Sequence, residues 1–392
     1  MDGTNGLSAE QLRHWRLMKG FQQSLQPVLK QYTRGSFAEP ERLLLLSDYL
    51  SLFLFGLFNP CVRTLRGLCE ISRLQQVQEE VCRRPVSLGS FSEAQHVLDL
   101  GLLEKVFGQL SQTARAQGVP DPRLEPWQWL ARDGSLFAAL PRMHWALHGA
   151  GKVGSPNHAV RLHLSLNILE DKPQTAAIEP GKTCERKVWR RQWQRGQAYV
   201  GDRLFGQDYR VFGQLNALDC VYVLRLREKQ ITVQEQEPIP LSEEDQQAGV
   251  LQQAWACLGC RQRYRSARVR LVWVKTRENN VLILATNLPP EKLSAALVWL
   301  VYKSRWKVEL FFRWIKCILG CRHWLAESAN GCAIQLYLAL IAALLLQLHF
   351  GRRPNKRMME LIEFHQLGIA TDQELRAGLE RQLQKIEQRK KA

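Results

Sequence analysis

The segment VYKSRWKVELFFRWIK carries four polar residues at gaps of 3, 4 and 7: Tyr302, Arg305, Glu309 and Lys316. An α-helix turns by about 100° per residue, so these gaps put all four side chains on one face, with Arg313 close beside them. One interpretation is a solvated face on which Arg305 and Glu309 form an ion pair. The other is a site in which Glu309 binds a metal ion and its basic and phenolic neighbours bind phosphate groups. The stripe alone leaves both interpretations open.

Two aspartates occupy positions from which they could join Glu309. Asp133 closes a predicted strand in WQWLARDGS, and Asp202 closes the predicted strand AYVGD. Carboxylates at strand ends suit Mg²⁺, which prefers hard oxygen ligands and needs no Cys or His. Each also has a simpler interpretation, because Asp133-Gly134 is a common turn pair and Asp202 could cap the next helix. Competing carboxylates rank lower because they lie in predicted turns or helices: Asp171, Asp208 and Asp219.

Hydrophobic periodicity predicts the elements that would position these carboxylates. In chain order they are a strand ending in a turn at 133–134, strands over 160–168 and 175–178, a helix over about 184–195, a strand ending at 202, a β-rich block over about 221–288, and helices over about 290–319 and 333–348. The interval from Asp202 to Glu309 is 309 − 202 = 107 residues, which is too long for one helix and one strand. The β-rich block is therefore expected to be an insertion.

The run Tyr302-x-x-Arg305-x-x-x-Glu309-x-x-x-x-x-x-Lys316 resembles the Tyr-Arg-Glu-Lys signature of DDE-type transposases from bacterial insertion sequences, in the group often called the IS-four family. The residues TNL before this run, Trp306 directly after the arginine, and the string LFFRWIK are similar to that family as well. The resemblance covers roughly residues 125–350 and is weak over the first 120.

The resemblance implies an α/β fold of the RNase H-like kind: a mixed sheet with flanking helices, a β-rich insertion before the last catalytic helix, and a helical N-terminal domain. It implies that Asp133, Asp202 and Glu309 are the catalytic residues and that they hold two Mg²⁺ ions, for which Mn²⁺ would substitute. The implied reaction is cleavage at the terminal repeats of an insertion sequence, followed by joining of the 3′-hydroxyl ends to target DNA. Two protomers are expected on paired ends. The phosphate backbone near the cut would be bound by Tyr302, Arg305, Arg313 and Lys316.

The charge balance favours a polyanionic partner. Lys and Arg number 54 against 37 Asp and Glu, which gives a net charge of 54 − 37 = +17. Such an excess is larger than solubility requires and is typical of proteins that bind nucleic acid. Two basic groups are candidates for contact with double-stranded DNA, although charge that protects an edge strand is an alternative for the first. The first includes Arg263, Arg265, Arg268 and Arg270, and the second includes Arg190 and Arg191.

Domain organisation follows from these patterns. Residues 1–120 are predicted to be helical and to bind DNA, 125–350 to form the catalytic domain with its insertion at about 221–288, and 351–392 to form a charged helical tail. The N-terminus lacks the apolar core of a secretion signal, so a bacterial cytoplasmic, nucleoid-associated location is expected. The apolar stretch over 333–348 falls short of the roughly 20 residues that span a bilayer, which predicts a buried helix and no membrane association.

Cys257-x-x-Cys260 is only half of a zinc site, so no zinc is expected.

Two other classes of function stay open at this stage. An RNase H-like nuclease without strand transfer would hydrolyse DNA but would not join it. A catalytically inactive DNA-binding relic or regulator would keep the fold and the charge alone. The complete acidic set and the uninterrupted signature favour the transposase.

Overall fold

The computed structural model describes residues 14–31, 46–59, 62, 64–113, 121–148, 158–228, 231–260, 264–276, 278–321 and 323–391. The first part of the chain is helical, as predicted. Its helices are α1 (His14–Gln31), α2 (Leu46–Phe58), α3 (Leu65–Ile71), α4 (Gln75–Glu80), α5 (Leu88–Val97) and α6 (Leu100–Thr113).

The remaining elements alternate strands and helices before a helical end. In chain order they are β1 (Trp129–Ala138), β2 (Ala159–Asn167), β3 (Lys172–Pro180), α7 (Glu185–Arg191), β4 (Ala198–Gly201), α8 (Arg210–Ala217), β5 (Val221–Arg225), β6 (Val233–Ile239), α9 (Glu243–Gln247), β7 (Val250–Cys260), β8 (Tyr264–Arg265), β9 (Val269–Lys275), β10 (Val281–Thr286), α10 (Ala295–Ser304), α11 (Trp306–Cys317), α12 (Ala329–Phe350), α13 (Lys356–Gln366) and α14 (Asp372–Lys391).

The strands form one ten-stranded mixed sheet in the order β3-β2-β1-β4-β5-β10-β9-β7-β6, with β8 paired to β7. β1, β2 and β3 pair antiparallel, whereas β4 is parallel to both β1 and β5. Helices cover both faces, with α10, α11 and α12 on one face and α7 and α8 on the other. The mixed α/β fold of the RNase H-like kind that the sequence predicts is confirmed.

The first strand differs from its prediction. Asp133 and Gly134 are not a turn, because β1 continues through them to Ala138 and pairs them with Leu164 and His163 of β2. A long antiparallel partner supplies backbone hydrogen bonds along the whole strand, and this overrides the local turn preference of Asp-Gly. Asp133 therefore lies within the strand, next to the point where the shorter parallel strand β4 ends.

The predicted insertion is part of the same sheet. β5 lies between β4 and β10, so the block over 221–288 begins and ends in the centre of the sheet, and β6, β7 and β9 extend it to one edge. The short helix α9 of this block contacts α10. Asp245 of α9 accepts a hydrogen bond from the backbone N–H of Ala296 at 2.8 Å, which places the insertion against the start of the signature helices.

The predicted single helix over 290–319 is two helices. α10 ends at Ser304, α11 begins at Trp306, and Arg305 lies between them. The Val308 N–H donates to the Arg305 carbonyl and the Arg305 N–H to the Tyr302 carbonyl, so the chain tightens at this junction. Tyr302 therefore lies on one helix and Glu309 on the next, a break that periodicity does not reveal.

Helix α12 lies at the centre of the molecule. It packs against α1, α2, α5 and α6 on one side and against β3 on another, so the N-terminal helices share one hydrophobic core with the sheet. Among the described residues, Ala329–Phe350 is the one helix long and apolar enough to cross a membrane, but its most apolar window is 94% buried inside the protein. It is thus longer than predicted and is a core helix, as predicted. The boundary near residue 120 marks a change of secondary structure within that shared core.

Candidate active site

The site lies where the parallel strands of the sheet end. Ala131 of β1 pairs with Val200 of β4, so continuing this register by two residues brings Asp133 beside Asp202. Ala131 and Val200 both face the core that contains α10 to α12. Because side chains alternate along a strand, Asp133 and Asp202 share that face. Asp202 accepts a hydrogen bond from the Leu204 N–H at 2.8 Å, which fixes its carboxylate at the strand end.

Helix α11 brings the third carboxylate to this face. The Arg305 guanidinium donates to Glu309 Oε1 at 2.6 Å and lies 3.9 Å from Asp133 Oδ2. The Arg305 side chain is 13% exposed, Asp133 23% and Glu309 33%. The mostly buried Arg305 therefore lies between the partly exposed carboxylates of Asp133 and Glu309 at the rim of the site. The Arg305–Glu309 pair of the first interpretation exists and lies beside Asp133. Metal and phosphate binding, the second interpretation, stays a prediction.

Electrostatics single out Asp133. The pKa of its carboxyl group is raised to about 7, chiefly by burial and to a smaller extent by the nearby Asp202, against the lowering effect of the Gly134 N–H and of Arg305. Each of these charges has to share a partly dehydrated site with another of the same sign. A cation placed among the carboxylates would relieve this repulsion.

Tyr302 and Arg225 extend the site along the sheet edge. Tyr302 is 7% exposed, and the Arg305 guanidinium lies 5.8 Å from the centre of its ring. Its phenol also interacts with Arg225, the last residue of β5. Burial raises the pKa of Tyr302, so the phenol stays protonated and keeps an O–H to donate. A row of two guanidinium groups and a phenol therefore runs beside the carboxylates.

Lys316 and Arg313 line a pocket that opens beside Glu309. The pocket wall includes Asp133, Ser135, Glu309, Arg313 and Lys316. Lys316 donates to the Ser135 hydroxyl at 2.8 Å and to the carbonyl of Leu136 at 2.6 Å, which ties α11 to β1. Arg313 is exposed. Two residues of the predicted stripe, Glu309 and Lys316, thus line this pocket together with Arg313. Arg305 and Tyr302 connect to it through the Arg305–Glu309 hydrogen bond and the contact of Arg305 with the Tyr302 ring.

The carboxylates fit a hard divalent cation. All three offer oxygen donors, and the side chains of Asp133 and Glu309 are open to the pocket. In the described part of the chain, no group of three or more His, Cys, Asp or Glu side chains is close enough together to hold a metal ion. Mg²⁺ keeps several waters and binds through one or two carboxylates rather than in an all-protein cage, so an open arrangement suits it.

The competing carboxylates are occupied by arginines elsewhere. Asp171 pairs with Arg353 at 2.9 Å, and Asp208 accepts from Arg190 at 2.7 Å. Asp219 pairs with Arg195. None of these three pairs includes Asp133, Asp202 or Glu309.

The predicted basic groups divide in the structure. Arg268, Arg190 and Arg191 are exposed and ion-paired with Glu237, Asp208 and Glu179 respectively. Arg263 and the side chain of Arg265 lie outside the described residues.

Arg270 is a correction to the predicted DNA contacts. It is fully buried, and it donates to the carbonyls of Leu288 and Leu293 at 3.0 and 2.7 Å. Helices α9 and α10 cover the sheet face on which it lies, so its guanidinium cannot reach a phosphate group. Alternation along a strand predicts a face but not what covers that face.

Two charged residues near the site were missed from the sequence. Arg225 was not singled out because it ends a strand in an ordinary alternating pattern. Glu185, the first residue of α7, pairs with Arg161 and packs against Gly134, where a Cβ would lie 3.1 Å from its carboxyl carbon. The position of Arg225 at the end of a strand parallel to the one before Asp202 is a signal that could have identified it.

Comparison with known proteins agrees with this geometry. Residues 130–345 match the protein family described as Transposase DDE domain, which is more than half of the chain and includes Asp133, Asp202 and Glu309. The chain belongs to this family.

Two curated relatives are similar over shorter stretches. A Sinorhizobium fredii protein named "Putative transposase y4zB" is 36% identical over 101 residues, which are 26% of this chain and 27% of that protein. A Synechocystis protein named "Putative transposase for insertion sequence element IS4SA" is 34% identical over 82 residues, 20% of this chain and 24% of that protein. The match therefore spans about a quarter of each relative.

One solved structure has a distant overall likeness. The piggyBac transposase synaptic complex with hairpin DNA aligns with a TM-score of 0.43 and 9% sequence identity, covering 85% of this chain and 69% of that one.

Proposed function

We propose that this protein is an insertion-sequence transposase of the Tyr-Arg-Glu-Lys group that cuts the ends of its element and joins them to target DNA. The observation that carries the proposal is that Asp133 and Asp202 share one end and one face of the sheet and that Arg305 links Asp133 to Glu309. Family membership supports the reaction class, and the names of both relatives support a transposase.

The three carboxylates would hold two divalent ions, Mg²⁺ or Mn²⁺. When bound, such ions activate the attacking oxygen and stabilise the leaving oxygen of a phosphodiester. The chain's own residues orient the reactants. Arg305 holds Glu309 toward the pocket, and Lys316 fixes α11 against β1 through Ser135. The positive charge of Arg305, Arg313 and Lys316 around one opening would attract the phosphate backbone.

Binding of double-stranded DNA would extend beyond the pocket. Arg190, Arg191 and Arg268 are exposed and could exchange their surface ion pairs for phosphate groups. The N-terminal helices would bind the terminal repeats. Two protomers would act on paired ends by a cut-and-paste route, on nucleoid DNA in the bacterial cytoplasm.

The test uses labelled DNA from the two flanks of this gene, purified protein and Mg²⁺. Wild-type protein should make metal-dependent cuts at an inverted repeat and should join the 3′ ends to a target plasmid. Glu309→Gln keeps the size and hydrogen bonding of the side chain but removes its charge, so it should abolish cleavage and leave end binding within a few-fold.

Each alternative gives a different product. Cuts without joined products would indicate a nuclease that does not transfer strands. Salt-sensitive binding without any cut would indicate an inactive relic or a regulator. Strand transfer by Glu309→Gln at the wild-type rate would remove Glu309 from the mechanism.

A further inference from the structure

Arg225 lies in line with the catalytic carboxylates. Gly201 of β4 pairs with Leu224 of β5, so continuing the parallel register by one residue brings Arg225 beside Asp202. Val223, two residues earlier, belongs to the core under α10 to α12, so Arg225 lies on the same sheet face as Asp133 and Asp202. The chain thus places a guanidinium group one strand away from the second carboxylate.

The contacts of Arg225 connect it to the signature residues. Its guanidinium donates to Glu228 Oε1 at 2.9 and 3.1 Å, and it also interacts with the Tyr302 phenol. Tyr302 in turn lies under Arg305. The row therefore runs from Glu228 through Arg225, Tyr302 and Arg305 to the carboxylates.

The ion pair of Arg225 with Glu228 is exchangeable. The two side chains are 27% and 32% exposed, and pairs at such positions are weak because water screens them. Arg270, in contrast, is fully buried and bound to backbone carbonyls that have no other partner to replace it. Both hydrogen bonds of Arg225 end on one oxygen of Glu228, whereas a phosphate diester offers a guanidinium group two oxygens for a bidentate contact, on a polyanion that this basic protein attracts.

We propose that Arg225 binds the DNA backbone at the active site, on a phosphate group adjacent to the one that is cut, and that Glu228 occupies Arg225 until DNA displaces it. The inference rests on the proposed function and adds a residue to its binding site. Glu228 then acts as a competitor of DNA, because its carboxylate must leave before the phosphate group binds.

The experiment compares Arg225→Ala, Arg225→Lys and Glu228→Gln with a matched ion pair elsewhere. Arg357 and Glu360 on α13 have the same three-residue spacing and an exposed arginine, so Arg357→Ala and Glu360→Gln are the controls. Binding of labelled element ends is measured without metal over a range of salt, and cleavage is measured with Mg²⁺. Thermal unfolding of each variant verifies that it is folded.

We expect Arg225→Ala to reduce the magnitude of the log affinity against log salt slope by about 1, the value for one lost phosphate contact, and to slow cleavage by about 10-fold or more. Arg225→Lys should restore the salt slope but only part of the rate, since a lysine cannot hold a phosphate group by a two-pronged contact. Glu228→Gln should bind DNA a few-fold more tightly at low salt. The controls should match wild type within about twofold.

The outcomes separate this inference from the proposed function. If wild type cleaves and Arg225→Ala and Glu228→Gln both behave like the controls, Arg225 is not a DNA contact while the transposase proposal stands. If wild type binds but does not cleave, the transposase proposal fails. An unchanged salt slope in Arg225→Ala would overturn the Arg225 contact on its own. Absence of any DNA binding would overturn both.

Discussion

Two arginines, one beside each half of the sheet, have opposite environments. Beside the half that ends at β5, Arg305 is 13% exposed, and its partners are the carboxylates of Glu309 and Asp133 at the rim of a pocket. In the half built from the insertion, Arg270 is fully buried, and its partners are the carbonyls of Leu288 and Leu293. The sequence analysis predicted that both residues contact DNA.

The partners of each arginine explain the difference. A carboxylate beside solvent can exchange its arginine for a metal ion or release it to a phosphate group, so Arg305 suits a reaction site. A buried carbonyl has no substitute partner, so Arg270 holds the loop that leads into α10 and cannot leave without a large cost. Substitutions at the two positions should therefore change different properties of the protein.

The largest effect is expected at Arg305. Arg305→Ala should lower single-turnover cleavage of element-end DNA by about 10²- to 10³-fold, because it removes a fixed positive charge beside the reacting phosphate group. Arg305→Lys should restore little, since an ammonium group does not span two carboxylates. A variant that kept full activity but lost stability would place Arg305 in the same structural class as Arg270.

The second effect concerns Arg270. Arg270→Met should lower the free energy of unfolding by about 3 kcal/mol, because two buried carbonyls lose their donor. The salt dependence of DNA binding should not change, since the residue is buried. Urea unfolding and salt titration of the same preparation measure both, and a shallower salt slope at unchanged stability would contradict the assignment.

A third test uses the pH dependence of stability and concerns His163 of β2, which pairs with Gly134 of β1. The pKa of His163 is lowered to about 3, chiefly by burial and also by the nearby charges of Arg132 and Arg161. In the unfolded chain the pKa is about 6.5. Between these values the unfolded chain binds more protons, so the stability contributed by neutral His163 is complete above about 6.5 and is lost as the pH falls, by up to about 1.4 kcal/mol per unit.

His163→Gln isolates this effect from the other titrating groups. Urea unfolding at pH 7, 6 and 5 should show a smaller loss of stability in the variant than in wild type, because Gln takes up no proton. Equal losses in both proteins would show that His163 is not held neutral.

The smallest effect is expected at Arg268. Its guanidinium pairs with Glu237 and lies 5.2 Å from the ring centre of Trp255, both on the surface. Arg268→Ala should make the salt slope of DNA binding shallower by about 1 and change the free energy of unfolding by less than about 0.5 kcal/mol. Arg376→Ala on α14 serves as the exposed control. An unchanged slope would remove the insertion edge from the DNA-binding surface.

Local patterns predicted the elements more reliably than their ends. The alternating residues of β2 and the apolar run of α12 gave the right type of element because periodicity reflects which side is buried. The prediction failed at Asp133-Gly134, where pairing with β2 overrode a turn preference, and at Arg305, where one periodic segment is two helices. Both failures lie at the candidate active site, where neighbouring elements control the backbone.

The sequence by itself determined the residue pattern on which the proposed chemistry rests: three carboxylates in order along the chain, a Tyr-Arg-Glu-Lys stripe and an excess of positive charge. These are properties of residue type and spacing, which need no fold to be recognised. Only the tertiary structure decided which charges meet. Parallel strands bring Asp133, Asp202 and Arg225 side by side although 69 and 23 residues separate them (202 − 133 and 225 − 202). Covering helices bury Arg270 but leave Arg268 exposed, because exposure depends on what packs above a residue and not on the residue itself.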